Sequence, residues 1–173
     1  MMRPANNDSA QAARARRETE AFRYKPDRID LLLVAEAPPA SLDRYFYFDD
    51  VSEQDSLFRY VCRGVLGREP TRQRKAELLL ALRDRGVFLI DLQEEPVDGT
   101  PLREFVPGLV ERCRALSPRR IILIKATVFD AAYVALKRAG LPVSRERTPF
   151  PGSGRQREFE IAFRRALDEA PAT

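Results

Sequence analysis

The chain contains no histidine, and among its 173 residues only two are cysteine. Without histidine the commonest general base at neutral pH is missing, so acid-base chemistry must rest on carboxylates, polarised water or backbone dipoles. Cys62 and Cys113 lie far apart, each within a helical pattern, which suggests neither a disulfide framework nor a metal knuckle. Both read as small buried hydrophobes; no metal, iron-sulfur cluster or other cofactor is expected. No apolar run is long enough to span a bilayer, and the opening "MMRPANNDSAQAARARRE" lacks the apolar core of a signal peptide. The expectation is a cytoplasmic protein with no membrane partner. Lysine is also scarce beside arginine. The formal charge of +4 favours a polyanionic partner only if it gathers on one face; spread out, it describes a soluble surface.

A chain of this length suits one compact domain. Residues 1–22 mix Asn, Ala, Arg and Glu without a sustained apolar stripe and read as a basic arm, flexible or partly helical. Residues 23–173 read as the globular body. "RIDLLLVAE", "GVFLIDL" and "RRIILIKA" are short, nearly continuous apolar runs, as expected of strands covered on both faces. "LPVSRERT" reads as a short fourth strand near the sheet edge. Helical patterns lie between them: residues 56–66, residues 71–86 ending at Gly86, residues 101–116 with a kink at Pro107 and Gly108, a helix opened by Thr127 and ended by Gly140, and a last one from about Gly154 to Ala170. This alternation predicts an α/β fold, a three-layer α/β/α sandwich on a mostly parallel four-stranded sheet.

Ligands of such folds bind outside the carboxyl ends of the strands. There the first run ends on Glu36, followed by Ala37 and two prolines that stiffen the turn and leave amides such as that of Ala37 able to face a ligand. Glu36 could orient a water, or simply cap a neighbouring helix. Tyr45, Phe46, Tyr47 and Phe48 follow in a row. Successive side chains of an extended segment point to opposite sides, so some of these rings are expected to line something other than the core, such as a planar ligand; otherwise the loop staples itself to the sheet. The second run ends on Asp91, with Gln93 close behind. Two carboxylates at one cavity could divide water activation and substrate contact, as glycosidic chemistry often requires. In "TPFPGSGRQREFE", the amides around Ser153 and Gly154, with Arg155 and Gln156, could hold an anion at a helix start or merely cap the helix. The P-loop spacing is absent.

Taken in order, these motifs resemble the uracil-DNA glycosylase superfamily, over about Ile29 to Leu167. "AEAPPA" is similar to the "GEAPG" of its iron-sulfur branch, "RYFYF" stands where that family has a base-stacking aromatic, Asp91 stands where it commonly has Asn, and "TPFPGSG" where it commonly has His-Pro-Ser. The motif histidine and the cluster cysteines are missing. The resemblance implies a DNA glycosylase that flips a damaged or deaminated base from the duplex and hydrolyses its N-glycosidic bond. It also implies the roles: Glu36 and Asp91 are the catalytic carboxylates, Glu36 orienting the water, Phe46 (or Tyr45 or Tyr47) holds the base face, Ala37 and Gln93 complete the pocket, and Ser153, Gly154, Arg155 and Gln156 grip phosphate or polarise the base. An ionised Asp at 91 only accepts hydrogen bonds, where an amide also donates, which points to a base presenting donors or to an altered substrate. Three other readings use the same residues: a nucleic-acid or nucleotide-binding module without chemistry, a hydrolase of small nucleotides, and an interaction protein with an aromatic patch.

Overall fold

A computed structural model describes residues 5–50, 56–152 and 154–170. Strands β1 (Leu31–Ala35), β2 (Val87–Asp91) and β3 (Ile121–Leu123) form a parallel sheet in the order β2-β1-β3. Every residue of the central β1 is buried, which is why its sequence is continuously apolar rather than alternating. The register pairs Leu31 with Val87 through Ala35 with Asp91 on one side, and Leu32 with Ile121 through Val34 with Leu123 on the other.

Among the described residues six α-helices accompany the sheet: α1 (Ala5–Arg23), α2 (Ser56–Val61), α3 (Lys75–Asp84), α4 (Val106–Leu116), α5 (Ala126–Arg138) and α6 (Gln156–Asp168). None of the described helices is long and apolar enough to cross a membrane. A π-turn, Cys62–Leu66, continues α2, and 3-10 turns precede α3 and α4. Helix α3 packs on β2, α5 on β3 and α4, and α6 on the π-turn. Cys62 and Cys113 are buried thiols, as expected, and burial pushes the Cys113 thiol up to about 11.

Local chemistry explains most boundaries. Gly86 follows α3 at φ 72°, and a Cβ there would come within 2.7 Å of the Asp30 carboxylate. Its carbonyl accepts the amides of Asp30 and Leu31, so this glycine seats the start of β1 beside β2. Pro107 does not kink α4: it lies in the first turn, where no amide hydrogen is required, and the restart comes earlier, between the 3-10 turn and Val106.

The sheet has three strands, not the expected four. Residues 142–148 run beside β3, but make only two isolated bridges, Ile121 with Val143 and Ile124 with Thr148. Pro142 has no amide to donate, and the Glu146 amide, which a continued ladder would give to β3, goes instead to the Ser144 hydroxyl at 3.2 Å.

All four rings of the aromatic run are buried. The segment is a turn, closed by the Phe48 amide donating to the Tyr45 carbonyl at 3.1 Å, so the strict alternation of an extended chain does not apply. The Tyr47 hydroxyl receives the Leu89 amide at 2.7 Å and donates to the Leu89 carbonyl at 3.3 Å. One phenol thereby occupies both outward backbone groups of an edge-strand residue. Tyr24 stacks on Tyr47, 6.2 Å between centroids, and its hydroxyl donates to Asp49 at 2.8 Å. Helix α1 lies against the same region through ion pairs: Arg17, itself buried, with Glu95, Arg16 with Asp50, and Arg23 with Asp49.

Candidate functional site

The carboxyl ends of the strands converge on a cavity of about 370 Å³. Glu36 and Asp91 both line it, with Ala37, Pro38, Pro39 and Lys125 around them and Tyr45, Phe46 and Phe150 as aromatic wall. The two acids share it because β1 and β2 are in register: Ala35 is the partner of Asp91, and the ladder continues past the strands through the Leu92 amide on Ala35 and the Gln93 amide on the Glu36 carbonyl. Arg112 of α4 fixes the end of β2, donating to the carbonyls of Asp91 and Leu92 at 2.7 and 2.9 Å.

Glu36 is held from the end of β3. Its Oε2 stands 2.8 Å from Lys125 Nζ and accepts the Thr127 hydroxyl at 3.0 Å. Both contacts fall on one oxygen; among the described residues Oε1 keeps its lone pairs for a ligand or water. The carboxylate does sit at the start of a helix, α5, yet it meets side chains there rather than capping the amides. Helix α5 starts at Ala126, with Lys125 in the capping position; Thr127, expected to open the helix, instead spends its hydroxyl on Glu36.

Lys125 has φ 83° and ψ 131°, a conformation that residues other than glycine avoid. Bonds on both sides hold it there: its amide donates to the Thr148 carbonyl at 3.0 Å, and its carbonyl accepts the amides of Val128 and Phe129. Thr148 is fully buried, which fixes one end of this arrangement to the core. The strand-end rule selects the segment containing Lys125, but no motif marks the lysine itself. Phe150, inside the "TPFPGSG" stretch but given no role there, is another contributor, at 41% exposure the most accessible ring of the wall.

The other expected site residues divide. Tyr45 and Phe46 reach the cavity while remaining buried; Phe46 packs edge-on against Phe58 and Tyr47. Tyr47 does not line the cavity, because its ring and hydroxyl are engaged with Tyr24 and β2. Gln93 does not line it either. The chain bends after Asp91, and the Gln93 amide nitrogen donates to the Pro96 carbonyl and Asp98, bracing that loop, with its buried Oε1 left without a partner. Asp98 is lowered from the usual carboxylate range chiefly by the Thr100 amide. Ser153 lies outside the described residues. Gly154 is exposed at φ 82°, while Arg155 pairs with Glu158 and lines a separate surface cleft with Arg147 and Arg165; Gln156 begins α6. Gly154, Arg155 and Gln156 of the expected anion grip are therefore not part of the Glu36 cavity wall.

A second cavity of about 360 Å³ lies against α1 and shares Tyr45, Leu89 and Asp91 with the first. Burial, with the nearby Asp91 charge, raises the Tyr45 phenol far above its ordinary range, so this ring enters both cavities as a neutral group. No protein-family model matches the chain, and no curated protein matches it.

Proposed function

We propose that the protein is a base-excision glycosylase, hydrolysing the N-glycosidic bond of a damaged or deaminated base extruded from DNA into the Glu36 cavity. The observation that carries this reading is the meeting of Glu36 and Asp91, from paired strand ends, in one aromatic-walled cavity. Its volume of about 370 Å³ is near the lower end of the ligand-pocket range, about 300–1,000 Å³, and suits a single base with a water better than a dinucleotide.

In this mechanism Glu36 orients the attacking water through Oε1, while its charge supports the oxocarbenium character that develops on the sugar. Tyr45, Phe46 and Phe150 take up the apolar faces of the base, which offsets the few kcal/mol of unstacking. Asp91 accepts hydrogen bonds from the base edge. The body is taken as a three-layer α/β/α sandwich. Right-handed crossovers from β1 to β2 and back over β1 to β3 put α3 and α4 on opposite faces, and the packing of α3 with the π-turn and of α4 with α5 is consistent with two such layers.

One observation favours a second reading. Lys125 neutralises Glu36, as suits a pocket that binds a base or nucleotide without cleaving it. The two readings separate on a panel of oligonucleotides carrying uracil, hypoxanthine, xanthine or a mismatch, single- and double-stranded, scored for abasic sites by alkaline scission. Scission at one of these bases supports the glycosylase; salt-sensitive binding without scission supports the binding module; neither result sinks the nucleic-acid reading.

A further inference from the structure

We propose that Lys125 is the acid that protonates the departing base, and that Glu36 returns the proton to it across their shared contact. The inference rests on the glycosidic reading above and identifies the group that reading leaves open. When the glycosidic bond breaks, its electron pair goes to the base nitrogen, and a positioned acid is what makes that departure fast. The chain has no histidine to serve, so the donor must come from the cavity wall.

Among the described residues the wall offers few proton donors, and chemistry removes most of them; Asp91 is already committed, in the reading above, to accepting hydrogen bonds from the base edge. Arg44 lines the cavity, but a guanidinium does not give up its proton in a protein. The Tyr45 hydroxyl is held by burial far above its ordinary range and is a poor acid. The Ser56 hydroxyl is weaker still as an acid. Lys125 remains: its ammonium faces the cavity, lies 2.8 Å from the carboxylate that orients the water, and is carried on a backbone held at φ 83° by the buried Thr148 on one side and the first turn of α5 on the other. Strained backbone that is bonded on both sides is characteristic of positions where a side chain must be delivered to one place.

The proton count closes within the pair. The C1′–N bond breaks and the base takes both electrons. Water adds to C1′ and gives one proton to the Glu36 carboxylate; the Lys125 ammonium gives one to the base nitrogen and becomes an amine; the protonated Glu36 then passes its proton to that amine. The products are free base and abasic sugar, and the ion pair returns to its starting state with no histidine and no further reactant.

The test is leaving-group dependence. Single-turnover cleavage of the accepted base is compared with cleavage of its electron-poor analogue, for example uracil against a 5-halogenated uracil, in the wild-type protein and in Lys125→Gly and Lys125→Gln. Glycine suits the backbone at this position, and glutamine keeps a polar side chain, one atom shorter, without an ionisable proton. The expected result is a loss on the order of 10²-fold or more on the ordinary base, a several-fold smaller loss on the electron-poor one, and partial recovery in Lys125→Gly with added methylammonium. Equal losses on both bases, or no loss, overturn the relay while leaving the glycosylase standing. A wild-type protein that cleaves no base overturns the glycosidic reading and the relay together.

Discussion

Lys125 Nζ lies 2.8 Å from Glu36 Oε2, so an ion pair joins the carboxyl ends of β3 and β1 across the cavity wall. The lysine side chain is 41% exposed, and a pair so accessible to water contributes at most about 1 kcal/mol to stability. Its backbone is another matter. At φ 83° a Cβ costs about 1–3 kcal/mol, which glycine avoids at the smaller cost of its own chain entropy. Lys125→Gly and Lys125→Ala lose the same ion pair, so their difference isolates the backbone. Thermal unfolding should show the glycine variant melting higher, by roughly 2–4 °C per kcal/mol for a chain of this size; an alanine variant that melts at or above it would show that the backbone is unstrained.

Tyr47 gives a second prediction, about the sheet edge. Tyr47→Phe keeps the ring and its stack on Tyr24 but strands the Leu89 amide and carbonyl, both buried against that hydroxyl. An unsatisfied buried group costs about 1–3 kcal/mol, so urea unfolding should shift by that amount with an unchanged slope. A shift near zero would mean that water reaches the edge of β2 and replaces the phenol.

These two residues also mark what the sequence could and could not convey. The three buried strands and the placing of Glu36 and Asp91 at their ends were legible, because a strand covered on both faces must be continuously apolar and can turn polar only where it leaves the sheet. The fourth strand is not formed, since "LPVSRERT" has the right residues for an edge but its Glu146 amide turns to the Ser144 hydroxyl and leaves only isolated bridges. The buried aromatic turn was legible only as one of two readings, because the Tyr45–Phe48 bond depends on tertiary packing that brings Tyr47 to β2. Nothing in the letters marks Lys125, because a positive φ at lysine is imposed by Thr148 and α5 from outside the residue. The grip expected of Arg155 and Gln156 rested on order along the chain, and order alone did not bring them into the Glu36 cavity wall.

Alkali tests the aromatic cluster. Burial first, and then the Asp49 hydrogen bond, push the Tyr24 phenol up to about 12, while burial raises Tyr45 and Tyr47 further. In the unfolded chain these phenols ionise near their ordinary value of about 10. A proton held more tightly in the folded state stabilises it fully below that value, and the stabilisation is lost as pH rises from about 10 through about 12. Phenolate absorbance from this cluster should therefore appear in one cooperative step together with loss of the circular-dichroism signal. Gradual ionisation near pH 10 with the fold intact would contradict the burial of these rings.

The central claim is that Glu36 activates water for cleavage of a glycosidic bond in its cavity, and its most direct test is the mass of the base released. An oligonucleotide bearing the accepted base is incubated with excess protein, and free base and abasic strand are quantified by mass spectrometry for the wild type and for Glu36→Gln. The glutamine is nearly isosteric at a partly exposed site, so melting should be little changed. The account predicts stoichiometric release of free base by the wild type and a loss on the order of 10²–10⁴-fold in rate for Glu36→Gln. Release at an equal rate by Glu36→Gln, or no release by the wild type from any base offered, would contradict it.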